Sequence, residues 1–333
     1  MPAPQLHLTF AEMMADQEGV PRSFRDATRN NQIYVHLGGI FHDLPYYIGA
    51  LRMALGYLRA NAAEVSPWGV RLHMDRPGAF SAHLVETLRS APGPLDLEQR
   101  TAFLAGFLSH AALDHTLHPL VNFTAHRETL QRGGEVSHQH RIVEKYQSLF
   151  IHMELLGQDV IGTPEFFARI AKVTQANPFF RRRIDPGLAE FMTGMLRRFF
   201  GDAPSPEQWS GWVRCFRHIA FLVSGSIAGR DSLRNRTPDL RERYFSNEAF
   251  DFRDFFAAGR RRAASLLTLA HDYFELPRFD DLSRAAFARA TALDNLSYPD
   301  EARHPETRVV LLGAGRVAPQ ARHDERLCVA APG

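Results

Sequence analysis

A chain of 333 residues with 45% hydrophobic and 23% charged side chains can bury a sizeable core, in one large domain or two. Its 39 basic and 37 acidic residues leave a formal charge of +2, too mild a balance to predict a nucleic-acid partner. The only cysteines, Cys215 and Cys328, lie far apart and outside any CxxC pair, which excludes a thiolate metal site, so any metal must use nitrogen and oxygen.

The opening segment MPAPQLHLTFAEMMADQEG has no cationic stretch followed by a long apolar run, so no secretory signal is expected. No apolar stretch reaches the roughly 18 residues of a membrane span, and a cytoplasmic location is expected. His7 stands at the front of an apolar helix, LHLTFAEMM. HLGGIFHDLPYY then supplies His36, His42 and Asp43 at a glycine-rich turn, where Phe41, Tyr46 and Tyr47 could line a cleft. His73 follows in VRLHMDRPGAF, near Asp75 and His83.

Further along, apolar residues recur at spacings of three and four: Phe103, Phe107, Leu108 and Leu113; Val143, Phe150 and Leu155; and Leu188 to Phe199. Trp212 to Ile227 and Phe252 to Phe274 continue the pattern, and strand signals are sparse. Pro92, Pro94, Gly133, Gly134, Pro178, Pro204, Pro206 and Pro277 punctuate the loops without marking a domain linker. The expectation is an all-α protein, with one multi-helical domain over residues 1–299 and a polar, proline-rich tail over 300–333. VVLLGAGRV in that tail leaves about 16 residues after Val317, too few for a dinucleotide-binding βαβ unit. FRRRID at 180–185 and GRRRAAS at 259–265 read as solvated helix faces.

Histidine is concentrated early, with 12 of the 16 in the first 152 residues. In FLAGFLSHAALDHTLHPLVN, His110, Asp114 and His118 are spaced i, i+4, i+8 and share one face of a helix. HQHRIVEK repeats the spacing with His140 and Glu144, whereas His138 does not lie four residues from Glu144. A lone i, i+4 pair usually faces solvent, but here the flanking residues are apolar. Burying these groups without a partner would cost several kcal/mol, which a bound cation removes. Imidazole with carboxylate suits zinc and similar divalent ions. The remaining His115, His126, His138 and His152 are expected mostly at the surface, or supporting ligand rings.

Taken in order, His7, LGGIFHDLPYY with Asp43, His73, GFLSHAALDHTLHP and HQHRIVE resemble the zinc-dependent phospholipase C family, which shares its helical fold with fungal single-strand nucleases. The resemblance runs over roughly residues 5 to 155, and GFLSHAALDHTLHP is its most specific part. It implies a hydrolase of phosphate esters with two or three clustered zinc ions and a phosphodiester or phospholipid substrate. Asp43, His73, His110 and Asp114 would surround one ion and His118, His140 and Glu144 a second. His7, with Asp114 bridging, would serve a third, which well-known members complete with a processed N-terminal residue. Here six residues precede His7. Asp43 would also orient or deprotonate the attacking water.

His42 stands where that family's turn is expected to carry proline, and the resulting His-Asp pair resembles the HD-domain phosphohydrolases. In that reading His7 or His36, with His42, Asp43 and Asp114, would bind metal, leaving His118, His140 and Glu144 unexplained. A third reading is a non-catalytic helical protein stapled by a closed structural metal.

Overall fold

The computed structural model describes residues 4–47, 66–90, 93–156, 186–225, 237–293, 296, 310–312 and 316–318. The first helices are α1 (Pro4–Met13), α2 (Arg22–Asn30), α3 (Gln32–Ile40), α4 (Pro67–Met74) and α5 (Pro77–Ser90), with a 3-10 turn at Leu44–Tyr46 after α3. They are followed by α6 (Leu97–Arg132), α7 (Val136–Leu156), α8 (Pro186–Phe200), α9 (Pro206–Gly225), α10 (Thr237–Tyr244), α11 (Phe252–Glu275) and α12 (Asp281–Thr291). The fold is all-α, as expected. In the segment read as a tail, Val310–Leu312 (β1) pairs antiparallel with Arg316–Ala318 (β2). Only three residues separate these strands, so VVLLGAGRV forms no crossover helix.

Helix α6 is the axis of the fold. A capping box starts it: Asp96 accepts from the Gln99 backbone N–H at 2.8 Å, and the Gln99 side chain accepts from Asp96 N–H at 3.1 Å. Gly133, at a φ of 76°, ends it. Every residue from Thr101 to His115 is buried, so this stretch is enclosed on all sides rather than amphipathic. Helices α1, α2, α3, α5, α7 and α11 pack around it. Pro119, just after His118, has no N–H to donate to the carbonyl of His115.

Helices α3 and α6 cross in close contact. A Cβ on Gly38 would stand 2.0 Å from the Phe103 carbonyl oxygen, and one on Gly106 would stand 2.0 Å from that of Val35. Backbone therefore meets backbone there, which only glycine permits. Gly38 and Gly39 lie inside the last turn of α3 rather than in a turn, and Asp43 emerges just beyond its end.

Three expectations are corrected, two by burial and one by helix position. Phe41 is fully buried among Phe80, Phe103, Phe107 and Trp209, so it is core rather than cleft lining; Tyr47 is buried against Phe216, and Tyr46 alone stays half-buried. The run GRRRAAS is solvated only in part: Arg261 is exposed and Arg260 half-buried, but Arg262 is only 3% exposed and bonds to backbone carbonyls. Pro206 opens α9 instead of sitting in a loop, a position where its missing N–H costs nothing. FRRRID, Pro92 and Pro178 lie outside the described residues. Among the described residues no helix is long and apolar enough to cross a membrane.

Candidate metal centre

Four helices and one helix end bring the sequence-derived site residues together. His7 comes from α1, Asp43 from the chain leaving α3, and His73 from α4. His110, Asp114 and His118 come from one face of α6, and His140 and Glu144 from α7. His7, Asp43, His110 and Asp114 are fully buried, and His73, His118 and Glu144 nearly so. His140 is the most open of the eight.

Asp114 is the junction. Its carboxylate oxygens lie 3.3 Å from His7 Nε2, 3.6 Å from His73 Nε2, 3.0 Å from His110 Nε2 and 3.8 Å from His118 Nε2. Asp43 stands 3.4 Å from His73 Nε2 and 3.9 Å from His7 Nε2. Glu144 lies 3.3 Å from His118 and 2.8 Å from His140. Three groups have ligand atoms within 4.8 Å of one another: His7, His110 and Asp114; Asp43, His73 and His110; and His118, His140 and Glu144.

The ring orientations leave one nitrogen of several imidazoles facing this interior. His73 Nδ1 donates to the Gly69 carbonyl at 2.7 Å, His110 Nδ1 to that of Gly39 at 2.7 Å, and His118 Nδ1 to that of Leu296. His140 Nδ1 donates to Asn122 Oδ1 at 2.8 Å. A proton committed at Nδ1 leaves the Nε2 lone pair available to a cation. The Gly69, Gly39 and Leu296 carbonyls could not be singled out in the sequence, since a backbone oxygen carries no residue signature; Asn122 was missed, although it stands four residues after His118 on the same helix face.

The chemistry of the donor set fits a divalent cation. Both nitrogens of His7, both oxygens of Asp43 and Asp114, and Nε2 of His110 and His118 are buried with no hydrogen-bond partner. Each such buried group left unsatisfied costs about 1–3 kcal/mol or more. Without metal, protons take the cation's place. Burial pushes His73 down, but the Asp114 and Asp43 carboxylates overcome it and raise its pKa to about 9. His110 is likewise raised, Asp114 and Asp43 outweighing burial. Burial pushes both carboxyls up, yet the surrounding imidazoles, His110 foremost, hold Asp114 well below the usual range and Asp43 below it. Glu144 is held low by His140 and His118 against the same burial.

His42 is placed differently. Four rings form a column: His7 on His110 at 3.8 Å and 16°, His110 on His42 at 4.5 Å and 14°, and His42 on Phe107 at 4.2 Å and 30°. Burial and then His110 and His73 hold His42 well below its ordinary pKa, so it is neutral. It belongs to none of the three metal-capable groups. His36 also stands apart, bonded to Glu12 at 2.6 Å. Of the other histidines, His126 and His138 are exposed as expected, whereas His115 and His152 are buried. His152 bonds Thr9 and the Ser148 carbonyl.

No curated protein and no solved structure matches the chain significantly. Residues 6–197, more than half of the chain, match the family described as zinc dependent phospholipase C. That span includes most of α1 and all of α3, α4, α6 and α7, and with them all eight converging side chains. The chain belongs to the zinc-dependent phospholipase C family.

Proposed function

We propose that this protein is a zinc-dependent hydrolase of phosphate esters that cleaves a phosphodiester in the manner of a phospholipase C, a phospholipid being the leading substrate class. The observation that carries the reading is the set of buried, unbonded oxygens and nitrogens on Asp43, Asp114, His7, His110 and His118. His7, Asp43, His73, His110, Asp114, His118, His140 and Glu144 would hold two or three zinc ions, with His110 common to two of the metal-capable groups. Bound zinc supplies Lewis acidity towards a phosphoryl oxygen and acidifies water.

The protein's own groups do the rest. The Nδ1 bonds from His73, His110 and His118 to backbone carbonyls fix the ligand rings, so little reorganisation accompanies charge development in the reaction. Asp43 is ionised at neutral pH and both of its oxygens are unbonded. One oxygen can serve as a ligand while the other orients the attacking water and accepts its proton. The enclosing apolar wall of α6 keeps bulk water from these charges. An HD-type site would need His42 as a ligand, and its place in the ring column outside the metal-capable groups weighs against that.

The test is metal analysis of the purified protein together with hydrolysis of chromogenic phosphodiesters and phospholipids, repeated on Asp43→Asn. We expect zinc in the wild type and a rate at least ~100-fold lower in the variant, the scale of a lost proton acceptor. Full activity in Asp43→Asn removes Asp43 from the mechanism.

A further inference from the structure

Beyond the family-matched residues 6–197, the chain leaving α12 returns to the metal centre. Ala292 closes α12 in the left-handed conformation, at a φ of 46°. The buried Arg262, on α11, donates Nη2 to the Thr291 carbonyl at 3.0 Å and to the Ala292 carbonyl at 3.2 Å. Gly78 at the start of α5 donates its N–H to the Leu293 carbonyl at 2.9 Å. A Cβ on Gly78 would lie 3.0 Å from the Ala288 carbonyl oxygen and 3.1 Å from that of Leu293, so a side chain there would crowd this seat. Leu296, fully buried, then donates its N–H to the His73 carbonyl at 2.9 Å, and its own carbonyl accepts from His118 Nδ1. One residue thus ties the backbone of His73, from one metal-capable group, to the ring of His118, from another.

We propose that Leu296 is a positioning residue of the metal centre, with Arg262 holding its segment in place. The inference rests on reading the cluster as a metal centre. With Nδ1 committed to the Leu296 carbonyl, His118 presents Nε2 towards Glu144, 3.3 Å away. The Leu296 N–H at the same time pins the end of α4 that carries His73. Without the strap, the His118 ring is free to rotate or change tautomer, and the two groups lose a common anchor. Partners of ligating histidines typically govern metal affinity by 10–100-fold.

Two measurements on the full-length chain test this. In metal-free wild type labelled with ¹⁵N, His118 Nδ1 is expected to carry a proton whatever the state of Nε2; a bare Nδ1 overturns the proposal whether or not any variant folds. In chelator competition, Leu296→Pro, which removes the N–H, and Arg262→Met are expected to release zinc at roughly 10–100-fold lower chelator concentration. Their Co(II)-substituted spectra are expected to change, whereas Leu296→Ile, with the backbone groups intact, behaves as wild type. Folded Leu296→Pro and Arg262→Met proteins that hold zinc like the wild type overturn it. A wild type that binds no zinc defeats the reading of the site itself, and the tautomer measurement still decides the strap.

Discussion

Gly106→Ala places one methyl group at the close crossing of α3 and α6 and probes how the fold holds the candidate metal centre. Its Cβ would stand 2.0 Å from the Val35 carbonyl oxygen and 2.7 Å from the Gly39 nitrogen, against 3.4 Å for ordinary contact. Both neighbours are backbone, so α3 and α6 must part by about 1 Å or more in an interior that packs like a crystal. His110 lies one turn along α6 from Gly106, and its 2.7 Å bond to the Gly39 carbonyl spans the same crossing. Overpacking costs about 1–3 kcal/mol, and loss of a buried hydrogen bond about 1–3 more. Alanine recovers about 1 kcal/mol as the better helix former. The net destabilisation expected is about 1–5 kcal/mol, accompanied by weaker zinc binding because the His110 ring is released. Urea unfolding of the metal-free protein gives the first quantity and chelator competition the second. A Gly106→Ala protein as stable as the wild type, with unchanged metal affinity, refutes the coupling of crossing and centre.

Other perturbations separate the roles of individual groups. His42→Ala is expected to cost about 3–5 kcal/mol, as for loss of a buried ring, whereas His42→Phe keeps the column and removes a buried nitrogen, Nδ1, that has no partner; the Phe variant should retain stability and metal. Zinc loss in His42→Phe, measured by elemental analysis, would instead make His42 a ligand. In the metal-free protein, His73 has a pKa raised from 6.5 to about 9, so the stability it contributes is complete below about pH 6.5 and is lost as the pH rises through about 9. Thermal melts in EDTA between those values are expected to fall with rising pH, and a flat profile contradicts the assignment. The zinc-loaded protein should respond in the opposite sense, losing metal on acidification as protons compete for Nε2 and carboxylate oxygens.

Much of the centre was legible because helix geometry is local. Spacings of four on an apolar helix placed His110, Asp114 and His118 on one face, and His140 with Glu144 on another, and both pairings hold in α6 and α7. The same periodicity announced α8, α9 and α11. Helix α2 gave no such signal, since in RSFRDATRN the buried set is only Phe24, Ala27 and Thr28, too few apolar residues to show a stripe. His7, Asp43 and His73 could be added to the centre only through the family resemblance, for nothing in their local sequence says which way they face.

What the sequence determined by itself is therefore the helical class and the chemistry available along each helix, because both follow from neighbours within one or two turns. The tertiary structure decided which of those groups meet. Contact between glycine backbones brings the Gly39 carbonyl to His110; ring stacking sets His42 aside from the metal-capable groups although it adjoins Asp43. It also turns Arg262 of an apparently solvated run inward, to hold a segment whose Leu296 reaches both His73 and His118. Those relations depend on how helices cross and on backbone oxygens, which every residue carries alike and no local pattern can distinguish.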